Sequence, residues 1–396
     1  MIQISPETQL FIREHSSDDV RTLALQAKKY PDINMPTAIT QIAGRQVAAE
    51  KIPSWREIEE IWYPKHLSLE QCSSEITARY KARLFQGDSL TDLTGGFGID
   101  CSFLATGFKS ATYVERQEEL CEIAAHNFPI LNLNHINVRN EDGVAYLQTM
   151  SPVDCIFLDP ARRNEHGGKT VAISDCEPNV AELEALLLSK ANRVMIKLSP
   201  MLDLSLALKE LKHTQEVHIL SVNNECKELL ILLGQTSPAE IAIHCVNLLT
   251  KGTQEEQHFV FTREQEQRSQ CTYTDSLGDY LYEPNASLLK AGAFRSIAAA
   301  YPVRKLHPNS HLYTSDTFIE NFPGRIFRIV NQCSFNKKEV KENLADLKKA
   351  NVTVRTFPAT VAELRKRLHL TEGGDTYLFA STLNNGQKVI IRCEKV

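Results

Sequence analysis

Apolar positions in the first 84 residues recur at helical spacing, with no strand-like alternation. Ser17-Asp18-Asp19 can cap a helix running to about Lys29, which Pro31 ends. Ser54 and Ser68 are further cap candidates. Ser68 and Gln71 have capping-box spacing ahead of one long helical stretch, LEQCSSEITARYKARLF. From Ser89 to Gly234 the pattern changes to short apolar runs: LTDLT, ATYVE, INV, DCIFLD, RVMIKL, EVHILSV and ELLILLG. Helical stretches separate most of them, which predicts right-handed βαβ units and a mostly parallel sheet. The last two runs are joined only by NNECK, too short for a parallel crossover, so they must be antiparallel. The expectation is an α/β, Rossmann-like sheet of seven strands with one antiparallel edge strand.

Beyond Gly234, AIAIHCVNLL and HFVFT have the pattern of a further hairpin. A stretch punctuated by Gly, Pro and Asn follows, and then a compact α+β pattern. Its elements are RIFRIVNQC, a Lys/Glu helix from Asn336 to Ala350, VTVRTF, a helix from Val361 to Leu368, and a final hairpin around Asn384-Asn385-Gly386. Four segments result: a helical domain at 1–84, a ligand-binding α/β domain at 85–270, a small connecting α/β segment at 271–322, and an α+β domain at 323–396.

At 396 residues, 42% hydrophobic and 23% charged, the chain has ample material for globular cores. No apolar run approaches the roughly 20 residues that span a bilayer, and the first residues do not read as a secretion signal. None of the ten cysteines forms a C-x-x-C pair, which argues against a zinc site and a disulfide framework. The expectation is a reduced, cytoplasmic protein with no metal and no membrane partner. The net charge of −5 excludes a chain that coats nucleic acid through its global field. Its distribution matters more: residues 85–324 carry 19 basic and 31 acidic side chains, whereas residues 325–396 carry 14 and 7. A local contact with a polyanion and a merely solvated lysine-rich face both fit that asymmetry.

The densest chemistry lies at Asp92-Leu93-Thr94-Gly95-Gly96-Phe97-Gly98-Ile99-Asp100, between a strand and a helix. Glycines there let a ligand approach the backbone closely. The spacing is not G-x-G-x-x-G, since Cys101 takes the sixth place, and no Gly-Lys-Ser/Thr follows to make a P-loop. Carboxylates at Asp92 and Asp100 repel a pyrophosphate and favour an unphosphorylated ligand with a cationic end. Glu115 ends the second apolar run, where an acid can take ribose hydroxyls, and Asp142-Gly143 follows the third, where an acid can accept from an adenine amine.

With DLTGGFGID, YVE, NEDG and LDPAR in hand, residues 89–235 resemble class I S-adenosylmethionine-dependent methyltransferases. QCSSEITARYKARLF, LYEPNASLLKAGAF and LHLTEGGDTYLFASTL extend the resemblance over nearly the whole chain, to bacterial methyltransferases ending in a THUMP-like domain. That resemblance implies S-adenosyl-L-methionine as cofactor and structured RNA, tRNA or rRNA, as partner. Asp92, Thr94, Gly95, Gly96, Gly98, Asp100, Glu115, Asp142 and Gly143 are the cofactor candidates.

Asp159-Pro160-Ala161-Arg162-Arg163 ends the fourth run, at the rim where open α/β sheets bind ligands. In amine methyltransferases the equivalent stretch is an acid or amide, two prolines and an aromatic. Here Ala161 and Arg162 replace the last two, so Asp159, Pro160 and Arg162 are the catalytic candidates and base-amine methylation is put in question. The motif also resembles the D-P-P-R of 5-methyluridine enzymes, but the place of their cysteine reads Lys197-Leu198-Ser199-Pro200. Direct in-line transfer is therefore expected. Lys197 either lines the pocket or snorkels from a strand end. Ser73, Ser74 and Glu75 either touch the cofactor's methionine part or lie on a polar surface. RNEHGGK, from Arg163 to Lys169, suits a mobile substrate lid, and its His166 reads as an exposed loop residue. Phosphate-contact candidates are Arg163, Arg325, Lys337, Lys338, Lys341, Arg365, Lys366 and Arg367. Two alternatives stay open: methylation of a protein or small molecule, and a non-enzymatic RNA-binding factor with a relic cofactor site.

Overall fold

The computed structural model describes residues 4–162, 172–252 and 255–396. It divides into two compact units, residues 1–215 with 230–237, and residues 216–229 with 238–396.

The first unit opens with helices, one of them at the expected Asp19 cap but ending at Leu25, short of Lys29, while Ser54 lies inside Pro53–Arg56, whose N-cap is Ile52. Asp19 accepts from the Thr22 amide at 2.8 Å to start Val20–Leu25, and Met35–Lys51 starts at Asn34. The single long helix expected after Ser68 is two, His66–Gln71 and Glu75–Leu84, with Lys65 and not Ser68 at the first N-cap. The chain breaks at Cys72-Ser73-Ser74, where Cys72 and Ser74 are extended. Ser73 is drawn there into a buried hydrogen-bond network, an outcome that helical periodicity does not register.

The large sheet contains β1 (Gly87–Asp92), β2 (Phe108–Glu115), β3 (Ile136–Asn140) and β4 (Val153–Leu158). After a two-residue antiparallel pair, β5 (Ala161–Arg162) with β6 (Cys176–Glu177), it continues through β7 (Ala191–Leu198), β8 (Thr214–Val222), β9 (Glu225–Gly234), β10 (Ala242–Leu248) and β11 (Glu256–Phe261). Its order is β11-β10-β8-β9-β7-β4-β1-β2-β3. The expected seven strands are nine, and the expected edge strand, β9, lies inside the sheet. Asn223 and Asn224, both at positive φ (49° and 69°), turn β8 into β9. β10 lies parallel to β8 and antiparallel to β11, so the hairpin beyond Gly234 does form, and it extends this sheet. An alternating pattern specifies a hairpin but not the edge it joins. β1 lies inside the sheet between β4 and β2, and its last three residues are buried. Cys101, Tyr113, Cys121, Ala124 and Phe128 form one buried cluster.

In the second unit, β12 (Tyr280–Pro284), β13 (Arg304–Lys305), β14 (Tyr313–Ser315), β15 (Gly324–Ser334), β16 (Asn351–Arg355), β17 (Thr376–Thr382) and β18 (Lys388–Lys395) form one sheet, ordered β13-β14-β12-β15-β18-β17-β16. β12 pairs antiparallel with β15, so segments on both sides of residue 323 share a sheet. Helices Lys337–Leu344 and Val361–Leu368 belong to its C-terminal part; the first stops short of the expected Ala350. Gly386, at φ +87°, turns β17 into β18. No helix among the described residues is long and apolar enough to cross a membrane.

Candidate active site

Parallel pairing of β1 with β2 and β4 brings the ends of three strands together, and with them Asp92, Glu115 and Asp159. The turn after β1 is held by its own backbone: the Gly95 amide donates to the Val114 carbonyl and the Gly98 amide to Gly95, both at 2.9 Å. Gly96 (φ +54°) and Gly98 (φ +86°) occupy the left-handed region, and Gly98 leads into the helix Ile99–Ala105. A Cβ on Gly95 would lie 2.2 Å from the Tyr113 ring, whereas one on Gly96 would meet nothing nearer than 3.9 Å. The turn therefore packs on Tyr113 through Gly95 and opens at Gly96. Gly95→Ala is expected to cost about 1–3 kcal/mol of stability through overpacking, measurable as a lower urea midpoint.

Asp92 is fully buried. One carboxylate oxygen accepts from the Thr94 amide at 3.0 Å, and the other, Oδ2, has no hydrogen-bond partner among the described residues. Burial, with Asp100, Asp159 and Glu115 nearby, pushes its carboxyl well above the ordinary range. Glu115 spends one oxygen on the Gly96 amide and the other on the Gln117 amide, each at 2.9 Å. Asp142 is exposed and caps Gly143–Thr149, accepting from the Val144 and Ala145 amides at 3.0 Å. A Cβ on Gly143 would fall 2.2 Å from the Leu93 carbonyl oxygen, so this glycine lets the turn after β3 pack on the turn after β1.

Asp100 lies deeper than the repulsion argument assumed. Lys81 Nζ stands 2.9 Å from its Oδ1 and Lys197 Nζ 3.2 Å from its Oδ2, to which the Ser73 hydroxyl donates at 2.7 Å. Both ammonium groups also reach the Ser73 oxygen, at 2.9 and 3.0 Å. Burial alone would raise the Asp100 carboxyl, but the two lysines outweigh it and hold the group well below its ordinary range. Lys197 bridges onward to Asp159 at 2.5 Å, and the Asp159 amide donates to Thr94 Oγ1 at 2.6 Å. Burial raises the half-buried Asp159 against the pull of Lys197. The glycine turn and the strand-end aspartate are thus tied together by Thr94 and by the Lys197–Asp100 pair. Lys81 escaped sequence reasoning. Its signal was its place three residues after Ala78, on the buried face of Glu75–Leu84.

Among the other candidates, Pro160 is buried and Arg162 pairs through its backbone with Cys176. Arg163, His166 and the rest of RNEHGGK lie outside the described residues. Glu75 accepts from the Ser54 amide and pairs with Arg79. Cys155 is buried in β4, where burial pushes its thiol up to about 11, so it supplies no thiolate. In the second unit Arg325 pairs with buried Glu283, which Arg355 also approaches at 3.0 Å. Arg365 pairs with Glu372 at 3.1 Å, and Arg367 lies over the Phe335 ring at 4.2 Å. Lys337, Lys338, Lys341 and Lys366 are exposed.

This arrangement of strand ends, glycine turn and strand-end aspartate is that of the methyltransferase class of α/β proteins. Family models match the C-terminal part of the chain: a ferredoxin-like domain at residues 280–323 and a domain described as THUMP domain-like at residues 324–395. A solved structure from Porphyromonas gingivalis W83, described as a "putative methyltransferase", is 34% identical over 100% of both chains with a TM-score of 0.87. The chain belongs to that methyltransferase family. More distant similarities include an rRNA methylase of Streptococcus thermophilus (14% identity, 40% of this chain and 93% of that one, TM-score 0.30). Another is a SAM-dependent methyltransferase of Agrobacterium tumefaciens (15% identity, 41% and 61%, TM-score 0.31). No curated protein matches the chain.

Proposed function

We propose that this protein transfers a methyl group from S-adenosylmethionine to a nucleotide of structured RNA in the cytoplasm, Asp159 facing the acceptor and the C-terminal domain contacting phosphates. The observation that carries the reading is electrostatic. Four carboxylates, Asp92, Asp100, Glu115 and Asp159, surround the glycine turn, and two buried lysines, Lys81 and Lys197, answer them. The deficit of positive charge falls on Asp92, whose Oδ2 has no hydrogen-bond partner among the described residues. A cationic ligand supplies what the protein leaves out, whereas a pyrophosphate deepens the imbalance.

The residues present fit such a cofactor. The opening over Gly96 admits a ligand against the backbone, and Asp92 and Glu115 are the acids beside it. When bound, S-adenosylmethionine supplies an electrophilic methyl on a sulfonium. The protein's own part is to orient: Thr94 fixes the Asp159 backbone, Lys197 fixes its carboxylate, and Asp159 offers an acceptor oxygen that can aim a nucleophile. Calorimetry with S-adenosylmethionine and its demethylated product, against NAD and ATP, tests the site. Transfer of labelled methyl to total RNA from cells lacking the gene, followed by nucleoside identification, tests the reaction.

The RNA part of the reading rests on the THUMP-like match and on the exposed lysines. Deleting the basic C-terminal segment would be a poor test, because residues 324–396 supply four of seven strands of their sheet, including β15, the partner of β12. Replacing Lys337, Lys338, Lys341 and Lys366 together by Gln keeps that sheet. The expected result is weaker RNA binding at every sequence. The slope of log affinity against log salt should be shallower by about 0.7–0.9 for each lysine that meets a phosphate. Unchanged binding and slope would move the acceptor to the protein or small-molecule class.

A further inference from the structure

The two strands that extend the sheet beyond its expected seven, together with β8, carry a side-chain cluster that methyl transfer does not use. β8 and β10 run in parallel register with His218 beside His244. Glu216 is two residues before His218 and so on the same face. Across the antiparallel β10–β11 pair, His244 faces Val260, and His258 is two residues along that same face. Three adjacent strands therefore place three imidazoles and a carboxylate side by side.

Two of these pairs are in direct contact, and the rings of His218 and His244 stack with centroids 4.3 Å apart. His244 Nδ1 lies 3.1 Å from His258 Nε2, and His218 Nε2 lies 3.3 Å from Glu216 Oε2. Ligands about 2.0–2.1 Å from a tetrahedral ion stand about 3.3 Å from one another. The ligand atoms of Glu216, His218 and His244 all fall within 4.8 Å of one another, and His258 joins the group through His244; sharing one ion requires the two stacked rings to turn toward it. His218 is buried, while His258 is exposed and the Glu216 side chain is 43% exposed, so an ion can enter from the solvent side.

We propose that Glu216, His218, His244 and His258 form a site for a divalent transition-metal ion of zinc type, which clips β8, β10 and β11 together. Three nitrogens and one carboxylate oxygen suit zinc, and not the all-oxygen shells of magnesium or calcium. Drawing ligands from three neighbouring strands makes the ion a fastener of the sheet's exposed edge. The cysteine-based expectation of no metal looked for C-x-x-C spacing, which ligands spread over 43 residues do not display.

The test uses the full chain, purified without a polyhistidine tag and stripped with chelator, titrated with Zn²⁺ and, for its visible spectrum, with Co²⁺. The expected result is one ion per chain, a Co²⁺ spectrum of tetrahedral type, and slower amide exchange in residues 256–261 on Zn²⁺ addition. His218→Ala and His244→Ala should each abolish the stoichiometric binding, while His126→Ala, at a histidine outside the cluster, retains it. Circular dichroism on the metal-free variants establishes that they fold. His258→Ala, at an exposed position, repeats the test with the least risk to folding and should weaken binding and alter the Co²⁺ spectrum. Absence of binding, or binding that all three substitutions leave intact, overturns the proposal. None of these readouts depends on methyl transfer.

Discussion

Lys81→Met should lower the stability of the first unit by about 3–5 kcal/mol, the range for removing one partner from a buried ion pair. The Lys81 side chain is fully buried and the Asp100 side chain is 10% exposed. Methionine keeps most of the lysine volume, so little cavity forms. The loss is chiefly that of leaving Asp100 with Lys197 as its only cation among the described residues, and Lys197 is shared with Asp159. Urea unfolding followed by a probe in the first unit measures it. The double variant Lys81→Met/Asp100→Asn should recover much of the loss, because it removes the stranded charge along with its partner. The pH dependence follows with a definite sign. In the native protein the lowered Asp100 carboxyl contributes stability above the unfolded carboxylate range, and that contribution fades as pH falls through the folded value. In Lys81→Met, burial outweighs the remaining cation and the group rises, so acidification relieves the variant. The gap between the two proteins should narrow as pH falls. A gap unchanged as pH falls through the carboxylate range, or a double variant no better than the single, would remove the electrostatic account of this cluster.

The same cluster shows what the sequence could and could not convey. The glycine turn, the alternation of strands and helices, and the helix Val361–Leu368 are local: each follows from residues within a turn or two of one another. So do the caps at Asp19 and Asn336, whose side chains accept from amides three residues on. Lys81 and Ser73 became part of the site through Asp100, 19 and 27 residues away, and through Lys197, 124 residues from Ser73. No periodicity encodes such pairings. Asp100 illustrates the reverse error: its charge was legible, but the lysines that take it up were not, and the carboxylate oxygen without a hydrogen-bond partner among the described residues belongs to Asp92. β10 and β11 were legible as a hairpin, and their place on the large sheet was not, because the edge they join is chosen by β8. The two-histidine pairing across that edge followed from the register and from nothing shorter.

Asp159→Ala is expected to reduce methyl transfer by about 10²-fold or more, the usual consequence of deleting a positioned group from a reacting centre, with the loss in kcat. Cofactor affinity should change far less, since the acids bordering the glycine turn, Asp92 and Glu115, remain, as does the Thr94 contact with the residue-159 amide, which any side chain preserves. The variant should also fold, because Lys197 keeps Asp100 and Ser73 as partners. Asp159→Asn then separates two roles for the carboxylate. An amide still presents an acceptor oxygen in the same place, so it restores most of the rate if Asp159 only orients an acceptor amine. It restores little if Asp159 must take a proton, a task for which burial has already begun to raise its carboxyl. Lys197→Met should mimic the alanine variant in part, by freeing the carboxylate from its 2.5 Å contact. The measurement is the single-turnover rate with RNA from cells lacking the gene. A full rate for Asp159→Ala would take the chemistry away from this strand end and leave the glycine turn binding a cofactor for a reaction centred elsewhere.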